Sequence, residues 1–142
     1  MEAHRTPVSE IMRTEFLSVG SKERLDFADR VLRLGNFRHL PVVEDGRLVG
    51  ILSNRDVLAA ALTKLLDFEA GQRRTFLHSV EVSEVMTRDV VSVRPDTPLS
   101  EAALRMVERK VGCLPVVDQE DKVLGLVTET DLLRAAYLAP AE

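Results

Sequence analysis

An internal repeat is the feature that most constrains how this 142-residue chain can fold. Residues 8–12, with the sequence VSEIM, return 74 positions later as VSEVM in residues 82–86. Further along, the offset becomes 75, and residues 50–56 match residues 125–131 in character. Chance does not keep this order over some 55 residues. The sequence therefore predicts two copies of one structural unit.

Each copy has the same predicted order of elements, β-α-β-β-α, which places the chain in the α/β class. In the first copy the strands are residues 16–19, 40–43 and 48–52, and the last helix runs from 55 to about 66. The third strand is continuously apolar, which predicts burial on both faces of the sheet. In the second copy the corresponding segments are strands 90–93 and 114–117, a helix that begins at Thr97-Pro98, and a helix over 131–138.

The helix between the first two strands has one apolar face in each copy. These faces consist of Leu25, Ala28, Val31 and Leu32 in the first copy, and of Leu99, Ala102, Ala103, Met106 and Val107 in the second. Both faces predict a helix packed on the sheet.

We assign residues 1–75 to the first repeat with a helical extension, and residues 76–142 to the second repeat. The connector, residues 63–79, is too apolar for a flexible linker, and we expect a helical extension, a turn near Gly71 and a half-buried chain. Its apolar residues, with those at the chain's end, predict a homodimer interface. They are Leu65, Leu66, Phe68, Phe76, Leu77, Leu132, Leu133, Tyr137 and Leu138.

Composition excludes several classes of function. The net charge is −4 and no long basic run is present, so we expect no nucleic-acid partner. Cys113 is the single cysteine, which allows no internal disulfide and fits a reducing compartment. The start of the sequence has no apolar run, and no segment reaches the roughly 20 apolar residues that a bilayer requires. We therefore expect a cytoplasmic protein without a membrane partner.

Catalysis finds little support in the residues. The histidines, His4, His39 and His78, lie far apart and form no metal-ligand spacing. No pair of carboxylates is marked for acid–base chemistry, and no glycine-rich phosphate loop is present. Cys113 follows a glycine and precedes an apolar strand, which favours a half-buried thiol over a nucleophile. We expect neither an enzyme nor a metal site.

Three features in this order, found twice, carry a resemblance to a known family. They are the leading V-S-E-h-M segment (h, an apolar residue), the L-P-V-V strand, and a G-h-h-[S/T]-x-x-D motif where the last helix begins. The chain resembles a tandem pair of cystathionine-β-synthase-type (CBS) domains over residues 8–62 and 82–137. The resemblance implies that the two copies pack sheet to sheet about a pseudo-twofold axis. It implies two clefts between the copies, which commonly take AMP, ADP, ATP or S-adenosylmethionine. It also implies a regulatory module, often a homodimer. Such pairs are usually fused to enzymes or channels, whereas here we expect a stand-alone pair with an unknown effector protein.

The Ser53-x-x-Asp56 and Thr128-x-x-Asp131 motifs have two interpretations. The simpler one is a capping box, in which hydroxyl and carboxylate each accept a hydrogen bond from a free helix amide. The functional one adds ligand contact, because the amides and dipole of a helix N-terminus favour a phosphate and a carboxylate accepts hydrogen bonds from ribose hydroxyls. The resemblance implies ribose contact by the two aspartates, and phosphate or ribose contact by the two hydroxyls.

The resemblance also places Arg38 and His39, and their second-copy counterparts Gly112 and Cys113, where phosphates lie. A solvated loop pair is the equally weighted alternative. Arg55 adds a cation within the first motif, whereas Thr130 in the second adds none. We therefore expect the Asp56 cleft to bind anionic ligands better than the Asp131 cleft.

The leading segments, residues 12–17 and 86–91, resemble the strands with which the family contacts adenine. Met12 and Leu17 bound the first segment, and Met86 and Val91 the second. The family's pairing places Asp131 opposite the segment of the first copy and Asp56 opposite that of the second. The two methionines can equally be core residues. The predicted function is a non-catalytic sensor of adenosine nucleotides, and the alternative is a ligand-free structural or protein-interaction module.

Overall fold

The structure, a computed structural model, describes residues 5–65 and 70–138, with side chains described outside 63–74. Leu65, Leu66 and Phe68 of the connector, and His4, therefore fall outside the described side chains. The chain forms two compact units. The Asp131 unit comprises residues 1–16 and 91–142, and the Asp56 unit comprises residues 17–90. Each unit thus holds most of one sequence repeat together with the leading segment of the other.

The Asp56 unit contains a three-stranded sheet in the order β1-β2-β3. Strand β1 runs parallel to β2, and β2 is antiparallel to β3 with a bulge between Val42 and Val43. The turn between β2 and β3 uses Asp45 and Gly46, both with positive φ. The elements are β1 (Val19–Gly20), α1 (Leu25–Leu34), β2 (His39–Glu44), β3 (Arg47–Ser53), α2 (Asn54–Leu65) and α3 (Ala70–Ser79).

The Asp131 unit repeats this plan in shorter form. Strands β4 and β5 are antiparallel, with a bulge between Val116 and Val117, and Val93 forms a single parallel bridge to Val116. The elements are α4 (Leu99–Arg109), β4 (Cys113–Val117), β5 (Val123–Thr128) and α5 (Glu129–Leu133), followed by a π-helical turn over Arg134–Leu138. The α-helix predicted over 131–138 is therefore only five residues long.

The first strand of each copy is shorter than predicted. We expected four residues in each, at 16–19 and 90–93. Val19 and Gly20 form β1, and Val93 is a single bridge. Backbone groups become a strand only where a neighbouring chain pairs with them, which β propensity alone does not determine.

The helices pack largely as their apolar spacing predicts. Leu25, Ala28 and Leu32 of α1 are buried in one core cluster, while Leu99, Ala102 and Met106 of α4 are buried in another. Val107 was wrongly assigned to the buried face, since 74% of it is exposed. Eight residues beyond Leu99, a helix has turned about 80° away from it, which places Val107 at the edge of the apolar stripe.

Strand β3 is buried mainly on one face, contrary to the prediction of burial on both. Gly50 and Leu52 are buried, whereas Val49 and Ile51 are only half-buried. This alternation follows from the pleat, which points successive residues to opposite faces. An apolar run therefore overestimated the burial of this strand.

The connector is helical over residues 63–65 and 70–79. Gly71 lies inside α3 rather than at a turn, because α3 already begins at Ala70. Leu77 is buried in the core cluster of the Asp56 unit, and Phe76 packs against that cluster. Within the described residues, no helix is long and apolar enough to cross a bilayer.

The leading segments cross over between the repeats. In the Asp131 unit, Arg13 and Leu126 exchange two backbone hydrogen bonds of 2.8 and 3.0 Å. In the Asp56 unit, Thr87 and Ile51 exchange the equivalent bonds of 2.9 and 3.0 Å. The last strand of each unit is thus paired with a segment from the other repeat. This exchange places the leading segments beside the two aspartate motifs.

Candidate functional site

In the Asp56 unit the Ser53-x-x-Asp56 motif forms a reciprocal cap at the start of α2. The Asp56 amide donates to Ser53 Oγ at 3.1 Å, and the Ser53 amide donates to Asp56 Oδ2 at 2.9 Å. Both side chains are half-buried at the end of β3. The simpler interpretation of this motif is therefore realised, and it occupies one of the two carboxylate oxygens.

In the Asp131 unit the second motif forms the same cap with one additional bond. The Thr128 amide and Thr128 Oγ1 both donate to Asp131 Oδ2 at 2.9 Å, while the Asp131 amide donates to Thr128 Oγ1 at 3.3 Å. The Asp131 side chain is only 9% exposed. Because α5 is short, its dipole is small, and this site depends on its side chains.

Arg13 is the site residue that the sequence analysis missed. Its Nε donates to Asp131 Oδ1 at 3.1 Å, and 54% of its side chain is exposed. A count of cations within each repeat leaves Arg13 out, because Arg13 belongs to the first repeat and Asp131 to the second. The signal was present, because the resemblance already placed Asp131 opposite the first leading segment, and Arg13 directly follows Met12.

An open cavity of about 540 Å³ lies beside this ion pair, within the Asp131 unit. Its walls carry two cationic and two anionic side chains, along with one thioether and one hydroxyl. The lining residues are Met12, Arg13, Thr14, Glu15, Asp131 and Arg134. Four of its six lining residues come from the leading segment.

Close contact between each leading segment and its strand depends on glycine. A Cβ on Gly125 would lie 2.7 Å from the Arg13 carbonyl oxygen and 2.9 Å from Met12 Sδ. A Cβ on Gly50 would lie 2.5 Å from Met86 Sδ and 3.0 Å from the backbone oxygen of Thr87. These approaches are shorter than van der Waals contact, so the two glycines hold open the space that the segments fill.

Cys113 lies against the Asp131 motif as a buried residue rather than the predicted half-buried one. It pairs in register with Thr128 and is 5% exposed. Burial raises the pKa of its thiol to about 12, and the charge of Asp131 adds to this while Arg13 opposes it. The thiol therefore stays protonated near neutral pH, which fits packing rather than nucleophilic chemistry.

The remaining predicted residues are distributed over both units. In the Asp56 unit, Arg38 and Arg55 are exposed, His39 pairs in register with Ser53, and 50% of Leu17 is exposed. Met86 is buried in that unit's core cluster. Its counterpart Met12, and also Val91, pack at the edge of the other cluster, while Thr130 is exposed.

The predicted site residues therefore form two local groups. The first contains Met12, Cys113, Thr128 and Asp131, and the second contains His39, Ser53 and Asp56. Among the residues that the structure describes, no three His, Cys, Asp or Glu side chains gather as metal ligands.

The fold and the two sites define a tandem α/β module in which each repeat supplies a leading segment to the capped aspartate of the other. The CBS domain family model matches the chain twice, at residues 8–63 and 82–138. The chain therefore belongs to the CBS domain family, as the sequence resemblance predicted.

Solved structures and relatives agree with this assignment. The CBS domain pair of protein MJ0100, in complex with 5′-methylthioadenosine and S-adenosyl-L-methionine, superimposes with a TM-score of 0.75 at 30% identity, covering 91% of this chain and 94% of that one. CBSX2 in complex with AMP gives 0.77 at 30% identity, covering 93% and 96%. A CBS domain-containing protein of Dictyostelium discoideum is 33% identical over 127 residues, covering 89% of this chain and 88% of the relative.

Other relatives are much longer than the matched region. The chain spans 24% of a homoserine O-acetyltransferase of Methanohalobium evestigatum and 40% of protein MJ1225 of Methanocaldococcus jannaschii. The similarity to the acetyltransferase covers a small part of that protein, so its name says nothing about catalysis by this chain.

Proposed function

We propose that this chain is a non-catalytic regulatory module that binds an adenosine nucleotide at one or both aspartate motifs. AMP, ADP and ATP are the first candidates, and S-adenosylmethionine is a further one. The observation that carries the proposal is the Asp131 site, where a capped carboxylate, an arginine and a leading segment line one open cavity. Two structurally similar CBS pairs in complex with adenosine compounds support it.

The geometry suggests a role for each group. A cap occupies Oδ2 of Asp131, so Oδ1 can also accept hydrogen bonds from ribose hydroxyls. The exposed guanidinium of Arg13 can pair with a phosphate through charge-assisted hydrogen bonds. Free backbone groups of the leading segment can read the edge of the adenine ring while Met12 covers its face.

The Asp56 site contains a comparable set of groups in a different arrangement. Ser53 and Asp56 form the cap, and Arg55 lies in the first turn of α2. Because α2 has twelve residues, its N-terminus carries a dipole that favours a phosphate. Arg38 and His39, at the start of β2, are the proposed phosphate contacts. Leu17 and Val91 remain predicted adenine contacts.

Thermal-shift titration of Asp131→Ala, Asp56→Ala and the double variant with AMP, ADP, ATP and S-adenosylmethionine tests this proposal. A ligand at about 100 times its Kd stabilises the native state by about 2.7 kcal/mol. Loss of a cap costs about 1 kcal/mol with or without ligand, so the readout is the increment caused by the ligand. We expect that increment to fall in at least one single variant and to vanish in the double variant.

If all three variants keep the wild-type increment, or if the wild type shows none, the motifs are only caps. The chain would then be a ligand-free interaction module. Asp118→Ala is a matched control, because Asp118 also accepts two backbone hydrogen bonds, at 2.8 and 3.0 Å, but belongs to neither motif. Its ligand-dependent increment should stay close to that of the wild type.

We further propose that the module works as a homodimer whose equilibrium between conformations is shifted by the ligand and sensed by an effector protein. Support comes from exposed apolar side chains near the end of the chain, with Leu133 56%, Tyr137 80% and Leu138 74% exposed. Sedimentation at tens of micromolar should show a dimer for the wild type and a monomer for Leu133→Glu with Tyr137→Glu. A monomeric wild type would contradict this proposal without affecting ligand binding.

A further inference from the structure

We propose that Arg13 is the residue that determines ligand specificity at the Asp131 site, selecting adenosine ligands that carry an anionic group over neutral or cationic ones. This inference rests on the proposed function, because it concerns the ligand class of the same site. It adds a cation to the site that the sequence predicts to bind anions less well than the Asp56 site.

The backbone fixes where Arg13 can be. Its amide donates to the Leu126 carbonyl at 2.8 Å, and its carbonyl accepts from the Leu126 amide at 3.0 Å. Gly125, beside Leu126, leaves the Arg13 carbonyl room to approach the strand. The Cα of Arg13 is therefore held against β5, while its long side chain retains freedom at 54% exposure. A ligand at Asp131 cannot avoid this guanidinium.

The hydrogen bonds of the Asp131 carboxylate place a bound ligand next to the Arg13 guanidinium. Oδ2 of Asp131 already accepts two bonds from Thr128, and Oδ1 accepts one from Arg13 Nε. A ligand hydroxyl that donates to Oδ1 must therefore lie next to the guanidinium. In residues 5–65 and 70–138, the two Nη amino groups of Arg13 have no hydrogen-bond partner, so they are available to an anionic group on the same ligand.

The charges around the cavity favour the same ligand class. Arg13 and Arg134 line it together with Asp131 and Glu15. Because the cap and Arg13 already engage Asp131, a ligand that adds a negative group gains a pairing with exposed cations. S-adenosylmethionine carries one carboxylate against a sulfonium and an ammonium group, so its net positive charge offsets what it gains from pairing with these cations.

The Asp56 unit places its arginine differently. The residue 74 positions after Arg13 is Thr87, which makes the same pair of backbone bonds but to Ile51. The arginine of this leading segment is Arg88, one position later, which donates to the Ser83 carbonyl at 2.9 Å. A hydroxyl at position 87 cannot pair with a phosphate as an arginine can. The two sites therefore share a fold and a cap, and they differ in where the leading segment places its arginine.

Isothermal titration calorimetry with AMP, adenosine and S-adenosylmethionine tests the inference on Asp56→Ala and on Asp56→Ala with Arg13→Gln. Both proteins carry Asp56→Ala, so that only the Asp131 site contributes to the measured binding. A charge-assisted hydrogen bond contributes about 1.5–3 kcal/mol, so the preference for AMP over adenosine should fall about ten-fold or more when Arg13 is replaced. The change in affinity for S-adenosylmethionine should be smaller than that for AMP, because its single carboxylate is offset by two cationic groups.

Arg33→Gln is the matched control, because Arg33 is also an exposed arginine paired with a buried aspartate, Asp29, at 3.2 Å. Its AMP-to-adenosine ratio should not change. An unchanged ratio in the Arg13 variant, or an equal drop in the Arg33 control, overturns the inference while leaving nucleotide binding intact. If no adenosine compound binds the wild-type protein, the proposed function fails and the inference fails with it.

A second test adds an arginine to the other leading segment instead of removing one. Thr87→Arg in an Asp131→Ala background adds an arginine to the leading segment of the Asp56 unit. The ratio of AMP to adenosine affinity should rise several-fold relative to Asp131→Ala alone. No rise, combined with an unchanged ratio in the Arg13 variant, would show that the leading segment does not select the ligand.

Discussion

The Asp131 and Asp56 units build the same reciprocal cap from a hydroxyl and a carboxylate three residues apart, yet the surroundings of the two carboxylates differ. Asp131 is buried, forms an ion pair with Arg13 and lies near the buried thiol of Cys113. Asp56 is half-buried at the start of a twelve-residue helix whose neighbouring cations are exposed. One sequence pattern thus gives a site built from side chains in one unit and a site at a helix terminus in the other.

The difference shows that a repeat motif fixes its local hydrogen bonds but not its chemistry. The caps match because they involve only residues within four positions of each other. The charges at the two carboxylates differ because each leading segment places its arginine at a different position. Arg13 pairs with Asp131, whereas Arg88 donates to the Ser83 carbonyl. Each of the following experiments separates what the two units share from what distinguishes them.

The largest expected effect is a loss of stability at alkaline pH that is caused by Cys113. The Asp56 unit has His39 at the corresponding position. Burial raises the thiol pKa from 9.0 to about 12. The unfolded chain therefore loses its proton first, so stability is intact below pH 9 and falls as the pH rises from about 9 towards 12. Relative to Cys113→Ala, the wild type should lose on the order of 4 kcal/mol over that window, at about 1.4 kcal/mol per unit. Urea unfolding of both proteins from pH 8 to 11 measures the first two units of this fall, about 2.7 kcal/mol. Parallel curves would show a thiol that is accessible to solvent.

Gly125→Ala should have the next largest effect, and it should exceed that of Gly50→Ala. At Gly125 the nearest obstacle is a backbone oxygen at 2.7 Å, whereas at Gly50 it is the sulfur of Met86 at 2.5 Å, with backbone at 3.0 Å. Overpacking lowers the free energy of unfolding by about 1–3 kcal/mol. A backbone atom can move away from the added methyl group less easily than a side chain can. Chemical denaturation gives the two values.

Gly20→Ala is the control for both glycine variants. Its Cβ would meet only the Glu23 side chain, at 3.4 Å and beyond, so its stability should stay within about 0.5 kcal/mol of the wild type. Equal losses at Gly125 and Gly50 would show that the two leading segments are held with the same rigidity.

Removal of the caps should have the third largest effect on stability. Asp56→Ala removes a reciprocal cap and should cost about 1 kcal/mol. Asp131→Ala should cost more, about 2 kcal/mol, because it also removes the bond from Thr128 Oγ1 and the pairing with Arg13. Melting of both variants without ligand provides the comparison. A larger loss at Asp56 would mean that its longer helix depends more on its cap.

Arg13→Gln should have the smallest effect on stability. Half of its side chain is exposed, and an ion pair with an exposed partner contributes between about 0 and 1 kcal/mol. A small change in melting temperature together with a large change in ligand selection would separate the two roles of this residue. A loss above about 2 kcal/mol would instead identify Arg13 as a structural element of the unit.

Much of the fold follows from the sequence because its determinants are local or periodic. Residue spacings of a few positions predict the β-α-β-β-α order, the apolar faces of α1 and α4, and the two capping boxes. The repeat is visible in the recurrence of whole segments. Errors arose where a neighbour decides the outcome. Val107 lies at the edge of a stripe, β3 is covered mainly on one face, and Gly71 lies inside a helix that a glycine did not interrupt.

The charge at the Asp131 site was decided by tertiary structure. Arg13 and Asp131 are 118 residues apart, and their contact exists because the first leading segment pairs with the last strand of the second repeat. The sequence contains both residues and the glycine that permits the approach, but nothing in their local spacing joins them. Backbone pairing across the repeats brings the charges together, and the chemistry of the site depends on that pairing.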